Sequence, residues 1–151
     1  MRIHTSSEGV TLAKRLETES ARFYEEAAAR HPEVADIFRA YASENQKNVR
    51  HIERTYYGVI SDAIEGGYCL DLEPDDFTFD ATIQASGADE PPVEQAVQIE
   101  QCILAFYTTA EEQMAALMAD LTRAFGLQAK KRRKRLLALS ELLDPDVASA
   151  K

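Results

Sequence analysis

"LETESARFYEEAA", residues 16–28, is echoed in the second half of the chain by "IEQCILAFYTTAE", residues 99–111. The two stretches align Glu17 with Glu100, Phe23 with Phe106 and Tyr24 with Tyr107. In each, glutamate and tyrosine are seven residues apart, two turns along one face of a helix. An acid beside an apolar stripe, occurring twice, points to two carboxylates that face the interior of a helical bundle.

Outward from the repeat, the chain divides into four helical segments and one long connection. Residues 9–30 place Leu12, Leu16, Phe23 and Ala27 at helical spacing, with Thr5, Ser6 and Ser7 as caps and His31–Pro32 as a stop. Residues 33–65 continue the pattern through Val34, Ile37, Tyr41, Ile52 and Tyr56, until Gly66–Gly67. A third helix is expected over 92–114, opened by Pro91–Pro92, and a fourth over 119–143, ended by Pro145. Between them, residues 66–91 show no sustained period and are rich in Gly and Asp. They read as a crossover held by Phe77 and Phe79, without the ligand spacing of an EF-hand. The expected fold is all-α: one domain over 1–151, a ferritin-like four-helix bundle of two helical hairpins joined by a crossover.

The composition bounds the function. A formal net charge of −9 argues against general affinity for nucleic acid. No stretch is long and apolar enough for a membrane span, and no secretory leader is evident. Cys69 and Cys102 form no CxxC pair, which fits free thiols in a reducing cytoplasm. A cytoplasmic homodimer without a membrane or nucleic-acid partner is the expectation, with any protein partner unidentified.

With these residues in place, the chain resembles the rubrerythrin-like branch of the ferritin-like superfamily, most closely through "ESARFYEEAA". The resemblance implies a diiron bundle that reduces peroxide or oxidises ferrous iron. Helices one and three would each give a glutamate with a tyrosine seven residues on, here Glu17 with Tyr24 and Glu100 with Tyr107. Helices two and four would each give a Glu-x-x-His pair. Here the chain departs from the pattern. Helix two, "YASENQKNVRHIERTYY", has Asn45 and Asn48 at those positions; helix four, "LQAKKRRKRLLALSELL", has Arg132 and Arg135.

That substitution gives a reason for the basic run 130–135 in an acidic chain. Counting back from Leu143 in helical steps puts Arg132 on the apolar stripe and Arg135 beside it, so both are expected to point inward at Glu17 and Glu100. Two bare carboxylates in a low-dielectric interior would repel, and two guanidinium groups neutralise them. Arginine suits the task because its planar fork can grip a carboxylate bidentately and stays charged when buried. Asn45 and Asn48 would satisfy leftover donors and acceptors. Lys130, Lys131, Arg133 and Lys134 are expected to be solvated. A patch for nucleic acid or an acidic partner would need those four grouped on one exposed face.

The function expected is a metal-free scaffold, binding or interaction module without cofactor or catalytic residues. The alternative is a non-haem iron oxidoreductase with a remodelled centre of one or two iron ions. Its fallback ligands are Glu17, Glu44, His51 and Glu100, three carboxylates and one imidazole. His4 and His31 lie near helix ends and add nothing convergent, and Cys102 reads as a packed thiol.

Overall fold

A computed structural model describes residues 2–60, 68–83, 91–115 and 118–143. Four helices dominate these residues: α1 (Ser6–Arg30), α2 (Ala35–Ile60), α3 (Val93–Met114) and α4 (Ala119–Leu143). Two short strands, β1 (Ile3–Thr5) and β2 (Tyr68–Leu72), pair antiparallel beside them. The fold is therefore an all-α bundle with a small β-ribbon. No helix among the described residues is long and apolar enough to cross a membrane.

Helix α1 begins three residues earlier than its periodicity predicts, because Thr5 alone of the three candidate caps does the work. Its Oγ1 accepts from the Glu8 backbone N–H, and Glu8 Oε1 accepts from the Thr5 N–H, both at 3.1 Å. The His4 N–H, the Thr5 N–H and the Thr5 hydroxyl all donate to the Glu8 carboxyl and hold it below its ordinary value. At the other end His31 N–H bonds to Ala27 O, and Pro32 opens a single 3₁₀ turn. That turn delays α2 to Ala35, two residues after the expected start. Expected positions 61–65 of helix two fall outside the described residues.

The connection carries more order than its sequence shows. Phe77 and Phe79 do pack inward, Phe77 meeting Phe106 edge to face at 5.7 Å between ring centres. Strand β2 and its partner β1 are additions to the expected pattern, since runs of five and three residues are too short to display alternation. Leu70 seats β2 against α1 at Gly9, where even a Cβ would come within 2.5 Å of the leucine. On its other edge, the Gln113 side chain of α3 takes the place of a neighbouring strand. It accepts from Asp71 N–H at 2.7 Å and donates to Asp71 O at 3.2 Å. Pro92 is the N-cap of α3 rather than a residue of its first turn.

Helix directions follow from which residues meet. Tyr24 reaches Glu100 while Tyr107 reaches Glu17, so α1 and α3 run antiparallel. Asn48 with Lys131 and Glu44 with Arg135 make α2 and α4 antiparallel. The aromatics Phe23, Phe38, Phe106 and Phe125 are fully buried around these contacts. They pack in tilted and edge-to-face pairs that favour close contact between ring edges and faces.

Candidate functional site

Glu17, Glu100 and Arg132 sit at the middle of the bundle, each with no exposed surface. All are helical residues placed by the apolar stripe of their own helix, so their side chains can only point at one another. Arg132 does not grip one carboxylate bidentately, as its chemistry suggested. Its Nη2 donates to Glu17 Oε2 at 2.7 Å, and its Nε lies 2.6 Å from Glu100 Oε2. The Nε contact is too bent to count as a hydrogen bond and acts as a charge contact. One planar fork thus spans two acids from two helices.

The second oxygens are taken by the repeat's tyrosines, crosswise. Tyr107 donates to Glu17 Oε1 at 2.7 Å and Tyr24 to Glu100 Oε1 at 2.6 Å. Arg135 Nη1 also donates to Glu100 Oε1, at 3.1 Å. Burial, reinforced by the facing carboxylates, pushes both phenols well above their ordinary value, so they remain neutral donors. Burial opposes the Arg132 charge, but Glu100 and Glu17 outweigh it and raise its pKa.

Asn45 is fully buried and serves both sides: its amide N donates to Glu17 O at 3.0 Å and Ser20 Oγ at 2.7 Å, and its oxygen accepts from Arg132 Nη2 at 3.4 Å. Asn48 is buried too, and its oxygen accepts from Lys131 Nζ at 3.0 Å. Lys131 is the correction to the basic run: a third member turns inward, while Lys130, Arg133 and Lys134 are exposed. Toward the rim, Arg135 Nη2 donates to Glu44 Oε1 at 2.8 Å and to Tyr41 O at 3.3 Å. Its guanidinium also lies over the Tyr41 ring, 4.6 Å from the centroid. Partial burial works against the Glu44 charge, yet Arg135 holds its carboxyl below the ordinary value. Burial pushes the Tyr41 phenol up to about 12. The charges of the network balance, with three acids, Glu17, Glu44 and Glu100, against three bases, Lys131, Arg132 and Arg135.

Ser20, Tyr41 and Lys131 were missed in the sequence. Ser20 and Lys131 carried no signal beyond helical spacing, and Tyr41 read as core.

Of the fallback ligands, Glu17 and Glu100 face the centre and Glu44 stands at its rim. His51 instead lines a surface depression with Arg54 and Arg123, so the four do not converge. Among the described residues no three His, Cys, Asp or Glu side chains come together to hold a metal ion. The donor set does not fit a diiron centre: both inner carboxylates are engaged by arginine and tyrosine, and two guanidinium groups occupy the space beside them. Cys102 is half-buried with its thiol directed at Thr78 O, and burial pushes it up to about 11.

No family model, curated protein or solved structure matches this chain.

Proposed function

We propose that the chain is a rubrerythrin-like, ferritin-like bundle in which an internal ion-pair network stands in for the diiron centre, and that it works as a metal-free scaffold or interaction module. The observation that carries this reading is Arg132, buried between Glu17 and Glu100 at 2.7 and 2.6 Å. A fixed positive charge at that point repels a divalent cation and uses the carboxylate oxygens that would ligate it. The ferritin-like topology draws support from the helix directions. With α1 antiparallel to α3 and each hairpin antiparallel, α2 and α3 run the same way, which requires a connection along the bundle's length.

The oxidoreductase alternative needs open ligand positions, and no geometry in the centre favours it. Metal analysis of protein purified from iron-supplemented cells decides between the two. Less than about 0.1 iron per chain is expected, and about two per chain would overturn the reading.

A further inference from the structure

Charge is distributed very unevenly over this molecule. The stretch Arg39–Arg54 of α2 and the stretch Leu121–Ser140 of α4 hold eleven of the chain's 17 Lys and Arg. They hold two of its 26 acids, Glu44 and Glu53, while Asp36, Asp120 and Glu141 lie on the same helices just outside these stretches. Both of those acids are occupied: Glu44 by Arg135, and Glu53 by Lys14 of α1. Lys47, Arg50 and Arg54 on α2, with Lys130, Arg133 and Lys134 on α4, are exposed, and none has a carboxylate partner among the described residues.

The side chains are grouped. Positions 123, 127, 130, 134 and 137 recur at intervals of three and four, which puts Arg123, Leu127, Lys130, Lys134 and Leu137 along one side of α4. Leu127 is 43% and Leu137 50% exposed, so apolar surface alternates with charge on this side. Between α2 and α4 lies an open depression of about 640 Å³, lined by Ala124, Leu127 and Gly58 together with His51, Arg54 and Arg123. Of the four basic residues left open in the run, Lys130 and Lys134 share this side, Lys131 is turned inward to Asn48, and α2 adds Arg54 at the depression.

We propose that this α2–α4 face docks an acidic, leucine-bearing amphipathic helix of a partner protein. Such a helix places its apolar stripe on Leu127 and Leu137 and its carboxylates on the flanking cations. The proposal names the partner class for the interaction-module reading given above. The molecule's net negative charge is no obstacle. Contacts at this face are governed by the local charges, because a charge more than a Debye length of about 8 Å away is largely screened at physiological salt. A symmetric pair of this chain through the same face would set like charges against each other, which argues for a different molecule as occupant. A nucleic-acid backbone would leave the exposed Leu127 and Leu137 uncovered.

The test is fluorescence anisotropy with the full chain and a labelled synthetic helix of about 20 residues, leucine on one stripe and glutamate elsewhere. A scrambled peptide of equal composition and a DNA duplex are measured alongside. The amphipathic peptide is expected to bind about tenfold more tightly than either, with affinity falling as salt rises. Lys130→Glu with Lys134→Glu, and separately Leu127→Asp, should each weaken it about tenfold or more, while Arg22→Glu on α1 leaves it unchanged. Circular dichroism confirms that these exposed substitutions keep the fold. Equal binding of the scramble, tighter binding of the duplex, or no binding up to about 1 mM overturns the proposal. A low iron content alongside any of those results would leave the metal-free reading standing.

Discussion

Arg132 and Glu100 lie 2.6 Å apart with neither side chain reaching solvent, facing each other from the two arms of the α3–α4 hairpin. The pair holds only as part of a set, because Glu100 also takes Tyr24 and Arg135, and Arg132 also takes Glu17.

Removing one member leaves its partner as a buried, uncompensated charge. Arg132→Ala, Glu17→Ala and Glu100→Ala are each expected to lower stability by about 3–5 kcal/mol in urea unfolding at neutral pH. Replacing the three together with Leu or Met of matching volume should cost far less, because buried ion pairs hardly outweigh their own desolvation. Single variants with unchanged unfolding midpoints would mean that these residues contribute nothing as charges.

The tyrosines test the crosswise repeat. Tyr24→Phe and Tyr107→Phe keep the ring packing and remove one hydrogen bond each to a carboxylate, at about 1.5–3 kcal/mol apiece. A double-mutant cycle between Tyr107 and Glu17 should show strong coupling, whereas Tyr107 against exposed Glu112 should show none.

Alkaline pH should probe the same phenols. Folding raises the pKa of Tyr24 and Tyr107 above the unfolded value, so their contribution is complete below about pH 10. It is lost as pH climbs from there toward the folded values. Absorbance titration should therefore show Tyr24 and Tyr107 ionising only as the protein unfolds. The double Tyr→Phe variant should lose part of the alkaline destabilisation. Smooth ionisation of all six tyrosines in folded protein would count against a sealed centre.

A fourth prediction restores the pattern from which this chain departs. Asn45→Glu, Asn48→His, Arg132→Glu and Arg135→His together place Glu-x-x-His on α2 and α4, opposite Glu17 and Glu100. The fourfold variant should bind about two divalent ions per chain, read by cobalt(II) absorption, against an expected none for the parent. A folded variant that takes up no metal would argue against the rubrerythrin-like reading proposed above.

Much of this arrangement was legible in the sequence because helices repeat. Glu17, Glu100 and Arg132 fall on apolar stripes, and a charge on such a stripe has few directions to take. What stayed hidden depends on neighbours that periodicity does not identify. That Lys131 turns in to Asn48, and that Arg132 splits its fork between two acids, follows from where α2 and α3 lie relative to α4. The β-ribbon was invisible for another reason. Its strands are defined by each other and by Gln113, while neither carries enough residues to show a period.

Arg132 and Glu17 are 115 positions apart, and α4 is the last of the four helices to leave the ribosome. Until it emerges, a nascent chain holds two acids that cannot be desolvated without a counter-charge, so three helices alone cannot close their core. The charged centre is thus completed only when the segment 130–135 joins the other three helices.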